Sequence, residues 1–187
     1  MTSSLLIVLV VVLVILVTPI GLYNGLVGRR NAVDNAFSSL DANLQKRFDL
    51  VPNLVATVRG YMTHERDTLE AITQLRGQAL QVGTPQARLQ NDSALAPLVG
   101  QVMAIAESYP QLSASGNFLL LQRSLNEIEE QISASRRAFN ASVNDYNTAI
   151  ETFPGSMIAS MFGFARRDFF AAGDASRQAP DLTGQFT

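Results

Sequence analysis

From Met1 to Gly28 the sequence holds no charged residue, and Leu5 to Val17 is an unbroken aliphatic run that continues through Thr18 and Pro19 to Tyr23. That is about the ~20 residues a helix needs to cross a bilayer. A cleaved signal peptide is the competing reading. The run, however, lacks a basic n-region, is long for an h-region, and leads into TPIGLYNGL rather than an A-x-A-like site. Residues 1–23 therefore read as a retained, single-pass transmembrane anchor. Arg29, Arg30, Lys46 and Arg47 follow the run and no basic residue precedes it. The positive-inside bias then predicts an N-terminus outside and the rest of the chain in the cytoplasm. Gly21, Gly25 and Gly28 are spaced so that a second helix could approach closely, which makes them candidates for self-association. The same glycines could instead loosen the exit from the membrane.

Beyond the anchor, helical periods run almost everywhere and no alternating strand pattern of any length occurs, so the chain reads as all-α. A 3,4 spacing passes through Val33, Phe37, Leu40, Leu44, Arg47, Val51, Leu54, Val58 and Tyr61. The stripe keeps its phase across Pro52, although proline removes a donor and crowds the preceding turn. A kinked but continuous helix, short of one bond to the Phe48 carbonyl, accounts for that phase. The alternative is a fresh helix capped by Asp49, with Pro52 in its first turn.

Two shorter helical stretches follow, His64 to Gln81 with Leu69, Ile72 and Leu75 or Leu80 on one side, and Ser93 to Ser108 with Leu95, Leu98, Val102 and Ile105. VGTPQ separates them. The last helix is predicted to start near Ser115 to Asn117. It carries Phe118, Leu121, Leu125, Ile128, Ile132, Ser135, Phe139, Val143, Tyr146, Ile150 and Phe153 in nearly a coiled-coil heptad, and stops at FPG. At 1.5 Å per residue, Tyr23 to Tyr61 spans roughly 60 Å, the last helix roughly 50 Å, and the middle pair about 25 Å each. Short connections make antiparallel neighbours. Residues 24–153 are thus predicted to form a long antiparallel four-helix bundle of two long and two short helices, continuous with the anchor. The end of the last helix should land beside the point where the first leaves the membrane.

Residues 154–172 are rich in apolar side chains, with Met157, Ile158, Met161, Phe162, Phe164, Phe169 and Phe170 around Arg166 and Arg167. Methionine and phenylalanine suit the headgroup boundary of a bilayer, where Arg166 and Arg167, together with Arg29 and Arg30, could pair with phosphates. The competing reading is a plug for the open end of the bundle or a cover for a neighbouring subunit. Residues 173–187, with Gly, Pro, Gln and Ser, read as a flexible tail.

Chemistry is sparse. A net charge of −2 gives no field to recruit nucleic acid, and the absence of cysteine removes disulfides, thiolate metal sites and thiol nucleophiles. His64 and Glu65 lack the second histidine of H-E-x-x-H, so no metal site forms there on that pattern. Neither G-x-S-x-G nor a phosphate-cradling glycine loop occurs. The expectation is a protein with no catalytic residue, metal or cofactor. Two polar features within the long helices bear on structure. Arg47 interrupts an apolar stripe and, if buried, needs a carboxylate, for which Glu129 is the candidate; otherwise it snorkels to the bundle edge. Asn140 and Asn147 share a helix face with Tyr146 and Arg136 close by.

The blocks YNGLVGRRNAVDNAF, DANLQKRFDLVPNLVATVRGYMTHE, YPQLSASGNFLLLQRSL and RRAFNASVNDYN with its later FP resemble the LemA family of bacterial membrane proteins. The first long helix is the most specific part, including Asn24, Arg30, Asp41, Arg47, Asp49, Pro52, Asn53, Gly60, Tyr61, His64 and Glu65. In the second half Tyr109, Pro110, Glu129, Arg136, Asn140, Tyr146, Asn147 and Pro154 match as well. Phe37 replaces the family's common tryptophan and Phe139 its tyrosine. The resemblance implies an N-terminally anchored, cytoplasm-facing helical bundle without an established reaction, in a family with a branch associated with magnetosome membranes. The resulting expectation is a scaffold that self-associates as a homo-oligomer or docks an unidentified membrane protein, with the lipid bilayer itself as a partner. The alternative is membrane shaping by insertion of the 154–172 segment into one leaflet.

Overall fold

The computed structural model describes residues 2–62, 65–81 and 85–170. Its described residues form helices, turns and coil, with no strand among them. Among the described residues six helices occur: α1 (Thr2–Arg59), α2 (Arg66–Gln81), α3 (Pro85–Ala106), α4 (Pro110–Ser113), α5 (Gly116–Glu151) and α6 (Gly155–Phe162). The chain is thus all-helical with a long apolar N-terminal helix. The expected tail, residues 173–187, and His64 lie outside the described residues.

α1 runs through Pro52 without interruption, so no new helix begins at Asp49. Its stripe is buried at Val33, Leu40, Leu44, Arg47, Val51, Leu54 and Val58, whereas Phe37 is half-buried and Tyr61 is exposed beyond the helix end. α3 starts earlier than the periodicity predicted. Its buried stripe is Leu89, Asp92, Leu95, Val99, Val102 and Ala106, and Leu98 and Ile105 are only half-buried. A buried aspartate hid the first two turns from an apolar-spacing reading, and Pro85 opens the helix where proline is tolerated. In α2, Leu69, Ile72 and Ala79 are buried, Leu75 is half-buried and Leu80 is exposed. α5 follows the predicted stripe from Phe118 to Ile150, starting where the Phe118 N–H donates to Ser115 Oγ at 3.3 Å as an N-cap. Phe153, expected on that stripe, lies past the helix end and is 81% exposed.

The chain divides into two compact units, each taken here over its described residues. Unit 1 comprises Met1–Leu40 and Ser133–Phe169; unit 2 comprises Asp41–Ile132 and Phe170–Thr187. Helices α1 and α5 each contribute to both. In unit 1 the buried apolar residues include Leu26, Val33, Val143, Tyr146, Ile150 and Ile158. In unit 2 they include Leu44, Phe48, Leu54, Ile72, Leu95, Val102, Leu112 and Phe118, drawn from α1 to α5. Within that unit α2 packs on α3.

Candidate membrane interface

Leu5 to Ile20, Pro19 apart, present their described side chains outward, and this stretch of α1 is long and apolar enough to cross a membrane. In unit 1 the chain returns to the end of that stretch through FPG. A Cβ on Gly155 would sit 2.2 Å from the Ala149 carbonyl oxygen, so only glycine fits there, and α6 can start one tight turn after α5. Gly163, in the left-handed region at φ 71°, ends α6, and the Phe164 N–H bonds back to the Ala159 carbonyl at 2.9 Å.

α6 buries Ile158 and Ala159 and exposes Met157, Met161 and Phe162 at 62%, 67% and 55%. Met161 and Phe162 line a small apolar pocket with Pro19, Ile20 and Tyr23. The Tyr23 ring meets Phe162 and Phe164 at centroid distances of 4.9 and 5.7 Å. In unit 1, α6 and Phe164 thus lie against residues 19–23 of α1.

Residues after Gly163 are strapped onto α5. The buried Asn147 side chain donates to the Arg167 carbonyl at 2.8 Å and accepts the Arg167 N–H at 2.9 Å, while the buried Tyr146 hydroxyl donates to the Ala165 carbonyl at 3.0 Å. One side-chain amide thus satisfies both backbone groups of one residue, the pairing a strand neighbour would otherwise supply.

Three of the four arginines expected at lipid phosphates have carboxylate partners in unit 1. Arg29 pairs with Asp145 at 2.5 Å, Arg166 with Glu151 at 3.0 Å and Arg167 with Asp34 at 3.3 Å, and Arg30 lies 5.5 Å over the Phe164 ring. Phe169 is exposed and Phe164 half-buried. Phe170, expected at the membrane, is buried, which removes it from any lipid-facing surface. Gly21, Gly25 and Gly28 are exposed, and a Cβ on each would meet nothing within 4 Å. No described segment packs closely on them, so their small size answers no contact among the described residues. Gly21 and Gly25 line an open groove with Arg29, Asp145 and Thr148.

Unit 2 holds the other polar constellation. Arg47 is 3% exposed; its Nη1 donates to the fully buried Asp92 at 2.6 Å and its Nη2 to Glu129. The structure brings together the arginine and the glutamate paired in the sequence reading and adds Asp92, which that reading missed. A single acidic residue in the 3,4 phase of Leu89, Leu95 and Val99 was the available signal. Pro52 is exposed on α1, and the Phe48 carbonyl it deprives of an amide accepts Arg76 Nε at 2.9 Å. Tyr109 donates to Glu65 at 3.2 Å; desolvation and the adjacent carboxylate push its phenol above the ordinary range. The described residues contain no group of acidic or histidine side chains arranged to hold a metal ion.

The LemA family pattern matches residues 36–183. Magnetosome protein MamQ of Magnetospirillum gryphiswaldense is 33% identical over 103 residues, 54% of this chain and 38% of its own. Magnetosome protein MamQ 2 of Paramagnetospirillum magneticum is 31% identical over 104 residues, with the same shares of each chain. Protein LemA of Metamycoplasma hominis is 25% identical over 165 residues, 88% of this chain and 75% of its own. The chain therefore spans well under half the length of the magnetosome proteins it matches.

Proposed function

Because the chain belongs to the LemA family, we propose that it is a non-enzymatic, single-pass protein of the bacterial inner membrane whose cytoplasmic four-helix bundle scaffolds an assembly, by self-association or by docking another membrane protein. The observation that carries this reading is α1 itself. One helix holds an outward-facing apolar stretch long enough to span a bilayer and the buried stripe of the helical units. The exposed Gly21, Gly25 and Gly28 leave α1 open to close approach by a second copy. Relatives named as magnetosome proteins fit a role at a membrane.

Two measurements test it. The chain has no cysteine, so a single Cys at Ser115 reports topology against no background when a membrane-impermeant maleimide is applied before and after the inner membrane is breached. Labelling only after the breach is the expected outcome; labelling before it inverts the orientation. Detergent-solubilised protein that stays monomeric at every concentration, with no co-purifying partner, would remove the scaffold.

The exposed Met157, Met161 and Phe162 favour a second reading, membrane shaping by α6. Liposomes that keep their shape at full protein coverage would dismiss it.

A further inference from the structure

We infer that α6 is a leaflet-inserting wedge that takes the acyl region of the bilayer and needs no anionic lipid. The inference deepens the membrane-anchored reading above and rests on it. From Gly155 to Phe164 the sequence carries no charge, unlike interfacial helices that hold a basic face against headgroups. Its exposed Met161 and Phe162 continue the outward-facing apolar surface of α1, because they share a pocket with Pro19 and Ile20, and the exposed Met157 lies one helical turn before Met161 on the same side of α6. That continuity selects a lipid leaflet as the occupant: side chains lying against the end of a membrane-spanning stretch meet the same solvent as that stretch.

The surrounding charges cancel. Arg29, Arg30, Arg166 and Arg167 are matched in this part of unit 1 by Asp34, Asp145, Glu151 and Asp168, and three of the arginines are already paired with three of those carboxylates. A guanidinium that left its carboxylate for a lipid phosphate would expose that carboxylate to an anionic surface. Exchange of one partner for another therefore gains little attraction, and the basic-cluster mode of lipid recognition is not built here.

The chain contains no tryptophan, so a single one reports its own depth. Full-length Met161→Trp and, independently, Met157→Trp are reconstituted into phosphatidylcholine vesicles with and without phosphatidylglycerol and quenched with brominated lipids. Leu13→Trp serves as the anchor reference. The expected result is blue-shifted emission and equal quenching at 157 and 161 in both lipid compositions, unchanged by high salt. Quenching that requires phosphatidylglycerol and disappears in salt overturns charge indifference. Water-like emission at 157 and 161 with Leu13→Trp quenched overturns leaflet insertion while leaving the anchor standing. An unquenched Leu13→Trp overturns the anchored reading itself.

Discussion

Arg76 Nε donates to the Phe48 carbonyl at 2.9 Å, supplying from α2 the hydrogen bond that Pro52 withholds inside α1. A proline in a helix interior costs about 3 kcal/mol against alanine, part of it from the orphaned acceptor. The two residues should therefore be coupled. Arg76→Met is expected to destabilise by about 1–2 kcal/mol in the native sequence. In a Pro52→Ala background, where residue 52 regains its N–H, the same change should cost clearly less. Denaturant unfolding of the four proteins in detergent gives the coupling, and simple additivity would show that Arg76 does not serve that carbonyl.

The Arg47 cluster makes an asymmetric prediction. Removing the cation by Arg47→Met takes the guanidinium away from the buried Asp92 carboxylate, a loss of about 3–5 kcal/mol. Glu129 has a side chain 55% exposed, so Glu129→Gln should cost only about 1 kcal/mol. Joint replacement of Arg47 and Asp92 by apolar residues should recover much of the Arg47→Met loss. The same unfolding measurement ranks the three.

At the strap, Asn147→Asp keeps an acceptor for the Arg167 N–H but loses the donor to its carbonyl, while Asn147→Leu loses both. Hydrogen exchange in residues 164–170 should accelerate modestly for the first and strongly for the second. Tyr146→Phe should act locally in the same way at Ala165. Exchange unchanged in all three would mean that the strap is held by other contacts.

Gly155→Ala should be among the most damaging single-methyl changes in the chain, since the added carbon falls 2.2 Å from a backbone carbonyl that cannot rotate away. The expected loss is about 1–3 kcal/mol, the usual range for overpacking. Gly25→Ala, helical and with open space around it, should stabilise the monomer slightly, by about 0.4–1 kcal/mol, so that any loss of self-association is read against a fold at least as stable.

Tyr109 gives the protein an alkaline sensitivity. Its pKa is raised in the folded state above the ordinary 10.0, so the neutral phenol is the favoured form. The stabilisation is present in full below that ordinary value and is lost as pH rises through the raised one. Stability measured above pH 10.0 should fall more steeply for the native chain than for Tyr109→Phe.

The sequence by itself determined the elements that depend on local spacing. The uncharged run from Leu5 to Tyr23, the stripe that keeps phase across Pro52 and the stop at FPG each follow from a residue and its near neighbours along one helix. It also marked Arg47 as an interruption of an apolar stripe, because periodicity makes an exception visible, and grouped Asn140 and Asn147 on one helix face with Tyr146 and Arg136 close by. Beyond the Arg47–Glu129 pair, only the tertiary structure decided their partners. Asp92 beside Arg47, Arg76 at the Phe48 carbonyl, and Arg167 on Asn147 depend on helix register and on where the chain turns back. Several carboxylates in the sequence could have answered Arg47, and only packing selects among them. The same holds at the membrane end, where four arginines read as a basic cluster until folding brought carboxylates from α1 and α5 against three of them. Charge along a chain is additive, but the field at a surface depends on which charges the fold sets side by side.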